Sequence, residues 1–339
     1  MSFIRRNTHA GTWYTEQGPK LNAELTSWLA NVDSTKFQSD LGGGFNPPIK
    51  GCKAIIVPHA GYSYSGPAAA WAYRSIDTTG IKRVFILGPS HHVYLDGCAV
   101  SQCSTYQTPI GDLPLDRQTT DEIHGTGEFT QMRLESDEDE HSIEMHLPYV
   151  RKVFEGQDIQ IVPILVGSLT PANEKRYGAI LAPYLARDDT FTVISSDFCH
   201  WGSRFSYTFY YPARPPLPES IQPLHLSTKV APSPGRPIHE SITELDREAM
   251  NILELSGDGE HPSAATSTHD EFARYLARTR NTICGRHPIG VMLGALGSLE
   301  SQGKITAPLV LKWVRYEQSS QCATVQDSSV SYASAYITF

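Results

Sequence analysis

Three polar clusters in this sequence each stand directly behind a short apolar run. Pro58-His59-Ala60-Gly61-Tyr62 closes a run that starts at Lys53. Gly88-Pro89-Ser90-His91-His92 closes one that starts at Arg83, and Ser196-Asp197-Phe198-Cys199-His200-Trp201 follows Thr190 to Ser195. Neutral imidazole is the commonest protein ligand for transition metals, and the same ring moves protons near neutral pH. His59 reads either as a ligand or as a hydrogen-bonded structural histidine at a strand end. His91 and His92 are neighbours, and in extended chain neighbours point to opposite sides; one faces a pocket and the other stands behind it or on the surface. Asp197 is either a helix N-cap, a position that favours Asp, or the group that orients His200 as acid, base or ligand support.

Ile283-Cys284-Gly285-Arg286-His287-Pro288 precedes an apolar helical pattern. A cysteine near a helix N-terminus has a lowered pKa and thiolate character, and a thiolate is a soft metal ligand. The competing reading is a buried, inert thiol. From Asp137 to His146 an acidic run is joined to two histidines, His141 and His146. The acidic run reads as a solvated face or loop. The two histidines are five apart, poor spacing for one helix face and unlike His-Glu-x-x-His, so one of them is expected behind the ligands. No GxSxG, GxxxxGK or GxGxxG occurs, which removes the nucleophile-elbow, P-loop and dinucleotide readings.

The elements that must position these clusters are legible as apolar periodicity. Continuous apolar runs at 53–58, 83–88, 159–167, 190–195, 309–314 and 330–338 suit strands buried on both faces. Helical spacing appears over 21–31, 68–74, 174–185, 242–255, 272–278 and 288–300. Strands and helices interleave throughout, which predicts a single α/β domain over residues 1–339, built as one three-layer sheet. Ligands in open α/β sheets bind outside the carboxyl ends of the strands, so the three clusters are predicted to converge on one crevice. Two stretches read as loop insertions. Residues 37–51 hold Gly42-Gly43-Gly44 and Pro47-Pro48, and in residues 211–238 eight prolines work against helix and central strand.

Composition narrows the class. The 339 residues are 40% hydrophobic and 19% charged, enough apolar material for a large core. Lys and Arg number 28 against 36 Asp and Glu, a net charge of −8, and no basic cluster exceeds two residues. A nucleic-acid binder shows a basic stripe, so nucleic acid is excluded as a partner. The six cysteines (52, 98, 103, 199, 284 and 322) form no CxxC pair, the pattern of reduced thiols in a cytosolic protein. Met1 to Thr15 has no apolar h-region, and no apolar run approaches the roughly 20 residues of a membrane span. The expectation is a cytoplasmic protein with access to the nucleus and no membrane insertion.

Several segments together carry a family resemblance: His9-Ala-Gly-Thr-Trp-Tyr, Pro58-His-Ala-Gly-Tyr, Phe85-Ile-Leu-Gly-Pro-Ser-His-His-Val, and Asp137-Glu-Asp-Glu-His-Ser-Ile-Glu-Met-His-Leu-Pro-Tyr. Ser195-Ser-Asp-Phe-Cys-His-Trp-Gly, Asn281-Thr-Ile-Cys-Gly-Arg-His-Pro-Ile-Gly-Val, and Gln318-Ser-Ser-Gln-Cys with Gln326-Asp-Ser-Ser-Val-Ser-Tyr continue it. The sequence closely resembles the Memo family, the mediators of receptor-tyrosine-kinase-driven cell motility. That resemblance implies a fold like the class III extradiol dioxygenases, with a central mixed β-sheet flanked by helices. It implies His59, His91 and Cys284 as metal ligands, with Asp197 and His200 lining the pocket and His92, His141 and His146 near it. If the protein is an enzyme, His200 and Asp197 are its catalytic residues. Extradiol dioxygenases hold iron with two histidines and a carboxylate; here Cys284 stands in place of the carboxylate, and a softer thiolate favours copper or a different iron chemistry. The cofactor expected is a copper or iron ion, or none bound as purified. The function implied is redox-linked signalling in cell motility, cytoskeletal organisation or invasive growth, with a phosphotyrosine peptide or signalling proteins as partners. The alternative is a metal-dependent oxidoreductase of extradiol dioxygenase type using the same pocket.

Overall fold

The computed structural model describes residues 3–38, 41–42, 44–218, 220–256 and 264–339. Four of the apolar runs lie side by side as parallel strands, in the spatial order Cys52–Val57, Thr190–Ser195, Arg83–Pro89 and Gln160–Val166. All four run the same way, so their carboxyl ends share one edge of the sheet. The sheet continues past Cys52–Val57 through antiparallel Ser329–Thr338, Val310–Gln318 and Leu255–Ser256. Past Gln160–Val166 it continues through antiparallel Cys98–Val100 and then Phe129–Gln131. His200–Trp201 adds to Ser329–Thr338 and completes a ten-stranded mixed sheet among the described residues.

Alternation along the strands builds two cores. Ile55, Val57, Val84, Ile86, Phe191 and Val193 meet Leu21, Leu25, Tyr73 and Tyr149 on one face. Ala54, Ile56, Phe85, Leu87 and Ile194 meet Leu181, Leu185, Ile289 and Leu296 on the other. Each large aliphatic side chain buried this way contributes roughly 1.5–3 kcal/mol, and burial on both faces explains why these strands read as unbroken apolar runs. On the second face, helix Pro171–Leu185 lies tightly against helix Arg286–Ser301. A Cβ added at Gly178 would come within 2.4 Å of the Val291 carbonyl oxygen, so only glycine permits that approach. This contact fixes the helix that begins two residues after Cys284.

The mixed α/β architecture is the one expected, and the strand positions agree closely. The helices run longer than their apolar spacing shows: Tyr62–Arg74 against 68–74, and Ala264–Thr279 against 272–278. Short strands such as Cys98–Val100 and Phe129–Gln131 have no counterpart in the sequence reading. The stretch 37–51 supplies core side chains, because Phe45 is buried and packs against Trp71 and Phe37; positions 39, 40 and 43 lie outside the described residues. The proline-rich stretch 211–238 is anchored by buried Tyr211 and Leu226 and by the pairing of Phe209–Tyr210 with Leu224–His225; position 219 lies outside the described residues. No helix among the described residues is long and apolar enough to cross a membrane.

Candidate metal centre

Val57, Pro89 and Ser195 end parallel strands, and the residues just beyond them meet. The His59 backbone N–H donates to Asp197 Oδ1 at 2.8 Å, which ties one strand end to the next. The His59 ring lies 5.2 Å from the His91 ring and 5.5 Å from the His141 ring, and His91 stacks on His141 at 4.4 Å. From the far side of the chain, Cys284 brings its sulfur to 3.1 Å from His59 Nε2 and accepts the Asp197 backbone N–H at 3.1 Å. Two groups of potential ligand atoms result, each with all members within 4.8 Å: His59, His91 and His141, and His59, Asp197 and Cys284. They share His59. Of the trio expected from the sequence, His91 belongs to one group and Cys284 to the other.

The hydrogen bonds assign the ring protons. Ser195 donates its hydroxyl proton to the Ser142 carbonyl at 2.7 Å, so its oxygen accepts from His59 Nδ1–H at 2.6 Å. His59 Nε2 therefore carries the lone pair that faces Cys284. His91 Nδ1 stands 2.9 Å from Glu140 Oε1. Burial works against ionising Glu140, but the hydrogen bond and charge of His91, with the charge of His141, outweigh it and hold that carboxyl at about 2. The carboxylate accepts, His91 Nδ1–H donates, and His91 Nε2 is left free. An acceptor behind a ligating imidazole fixes its tautomer and orientation. His200 is held the same way by two carbonyls, with Nδ1 donating to Phe198 O at 2.9 Å and Thr282 O at 3.1 Å.

Electrostatics keep two of the buried imidazoles, His59 and His141, neutral. Burial, reinforced by the neighbouring His91 and His141, lowers the His59 pKa well below the usual imidazole range. Burial and His91 also push His141 down to about 3. Neutral imidazole is the form that binds metal. Burial, with the nearby Asp197 charge, pushes the Cys284 thiol well above its usual range. Of the two readings of Cys284, thiolate and buried thiol, burial favours the thiol as long as no cation is near: the helix begins only at Arg286, and its field does not offset the desolvation of the sulfur. A bound cation reverses that balance. Around the donors opens a cleft of about 490 Å³, lined by Trp13, the three rings, Asp197, His200, Arg204 and Tyr332. Trp13 stacks on His141 at 4.4 Å.

A family model described as "Memo-like protein" matches residues 5–336. This chain belongs to the Memo family. Protein MEMO1 of Homo sapiens is 42% identical over 336 residues, 98% of this chain and 97% of that protein. Protein memo-1 homolog of Caenorhabditis elegans is 39% identical over 333 residues, covering 98% of this chain and 82% of that protein. A crystal structure of an uncharacterized protein from Escherichia coli K12 covers 84% of this chain and 99% of its own, at 13% identity and a TM-score of 0.44.

In this Memo-family chain the other expected site residues take distinct places. His92 is exposed, with Nε2 at 3.4 Å from His141 Nδ1. His146 is buried behind the site with Nδ1 at 3.0 Å from the Tyr73 hydroxyl, outside the cleft lining. Asp197 is no helix cap, since the chain runs on into the strand His200–Trp201; its Oδ1 accepts the backbone N–H groups of His59 and Ala60. The acidic run is not a solvated face either. Asp137, Glu138, Glu140 and Glu144 are buried. Arg5, with no exposure of its own, bonds Asp137 Oδ1 at 3.1 Å and Glu144 Oε2 at 2.7 Å, while Arg6 pairs with Glu138 and His91 with Glu140. Sequence reasoning missed Ser195, Glu140 and Trp13. Ser195 and Glu140 act on partners distant in sequence, and the one signal that could have found these residues is that all three lie inside the segments shared with the Memo family.

Proposed function

We propose that this chain is a metal-binding, redox-linked signalling protein that holds one copper or iron ion at His59 and the groups around it. The observation that supports this most is the pair of ligand groups on His59, in which both His59 and His91 have Nδ1 committed as donor and Nε2 available. Imidazoles with a thiol and a carboxylate suit copper or iron. Bound there, such an ion supplies Lewis acidity or an electron-transfer centre. The chain's own part is to fix the two Nε2 atoms, to hold the sulfur beside His59, and to cover His141 with Trp13. Elemental analysis of protein purified without added metal or chelator tests the reading. About one copper or iron per chain is expected, and its loss in His59→Ala. Metal content unchanged in His59→Ala ends the proposal. Cys284→Ala and His141→Ala then assign the ion: loss in the first places it with the thiol, loss in the second with the imidazoles.

The resemblance supports cytoplasmic and nuclear action in cell motility, cytoskeletal organisation or invasive growth, with a phosphotyrosine peptide as partner. Arg204, Ser319, Ser320, Ser328 and Ser329 line the same cleft; the Ser320 hydroxyl is spent on the Ser328 carbonyl at 2.7 Å, so the Arg204 guanidinium is the main donor a phosphate would meet. Fluorescence anisotropy with paired phosphorylated and unphosphorylated peptides tests this. Preference for the phosphorylated form, lost in Arg204→Ala, is expected.

A second reading, an oxidoreductase of extradiol dioxygenase type, is favoured by His200, which lines the cleft with Nδ1 tied back and Nε2 available for proton transfer. A catechol panel assayed with ferrous iron decides it. Ring-fission product lost in His200→Ala supports the enzyme, and silence across the panel removes it.

A further inference from the structure

The segment that carries Cys284 also lines a second cavity of about 700 Å³, which contains none of the ligand atoms described above. Leu169, Phe272 and Leu276 supply its apolar surface, and Arg280 and Arg286 its charge. That volume falls in the range of small-molecule sites. Arg280 is exposed and its guanidinium has no hydrogen-bond or ion-pair partner among the described residues, while the half-buried Arg286 guanidinium donates among them only to the Ile283 carbonyl at 3.3 Å. Arg280 also stands at φ 55°, directly after helix Ala264–Thr279 ends. Glycine is the residue that usually fills such a position, so arginine occupies it at a backbone cost. The one carboxylate in the cavity, Glu174, has both oxygens engaged, Oε2 by His269 Nε2 at 2.7 Å and Oε1 by His287 Nδ1 at 2.6 Å. The lining thus carries two guanidinium groups against one hydrogen-bonded carboxylate, beside aliphatic and aromatic side chains. Guanidinium forks match carboxylates in charge and shape.

We infer that this cavity binds an amphipathic carboxylate, its head held by Arg280 and Arg286 and its aliphatic body laid over Leu169, Phe272 and Leu276. The inference is independent of the metal reading, because the test is run on the metal-free chain. Calorimetric titration of the full chain with sodium octanoate should show one saturable site, with a Kd below about 1 mM. The uncharged 1-octanol should bind at least about tenfold more weakly. An Arg280→Gln, Arg286→Gln double variant should lose about tenfold in octanoate affinity while keeping its octanol affinity. Absence of saturable octanoate binding overturns the proposal. So does octanol binding as tightly as octanoate, a comparison that needs no variant, and so does an octanoate Kd unchanged in the double variant.

Discussion

Ser195 has one proton and spends it on the Ser142 carbonyl, and that single commitment decides which nitrogen of His59 faces the cleft. Replacing it by alanine leaves Nδ1–H without its acceptor and frees the ring to turn. We expect Ser195→Ala to weaken copper or iron binding by about 10–100-fold, measured by competition with a chromogenic chelator. The fold should lose only about 1 kcal/mol for the missing hydrogen bond. Glu140→Gln should act likewise through His91, since a neutral amide no longer holds Nδ1–H as a charged acceptor does. His59 and His91 are legible as candidates because each stands directly behind a strand, and Cys284 because it stands directly before a helix; the choice of these three together comes from the family resemblance. Ser195 and Glu140 are not, because each acts on a ring 136 and 49 residues away. Glu140 is further disguised as one of four acidic neighbours that suggest solvent.

Elements place these residues by close approach. Gly285 lies so near the end of strand Thr190–Ser195 that an added Cβ would stand 2.3 Å from the Ser195 carbonyl oxygen, and its N–H donates to Ser196 Oγ at 3.1 Å. Gly285→Ala should therefore destabilise the fold by about 1–3 kcal/mol and carry the sulfur of Cys284 away from His59, read as a lower urea midpoint and loss of any ion that depends on the thiol. At the opposite end of the chain, Arg5 is the last residue of strand Phe3–Arg5, fully enclosed by the acidic run. Arg5→Met removes the buried cation that Asp137 and Glu144 share, leaving Glu144 only His9, and should cost about 3–5 kcal/mol, measured by denaturant unfolding. The long central strands are readable because burial on both faces leaves a continuous apolar signature. Cys98–Val100 and Phe129–Gln131 are not, since three residues pair by virtue of their neighbours rather than by any pattern of their own.

At the scale of the whole molecule, three buried histidines make the fold sensitive to mild acid. His141 and His146 are each depressed to about 3, chiefly by burial, and His59 lies well below its ordinary value for the same reason. Their unfolded pKa is about 6.5. The unfolded chain therefore takes up protons that the native chain refuses as pH falls below that value. The stability these rings contribute is complete above about pH 6.5 and declines as pH drops toward the native values. Between pH 7 and 5.5 the metal-free protein should lose on the order of 3–4 kcal/mol, visible as a steep fall in Tm, and bound metal should suppress the loss. None of this burial is evident in composition: thirteen histidines in an acidic chain give no sign of which are enclosed.

Thr282 braces the His200 ring with its carbonyl while also lining the cavity of Arg280 and Arg286, so a single thickness of chain separates two compartments. Through that shared residue, loading one side is expected to be felt on the other. If octanoate stiffens it, the sulfur two residues along sits in a firmer seat, and thermodynamic reciprocity requires an ion there to tighten octanoate by the same factor. Titrating each in the presence of the other reads that exchange directly.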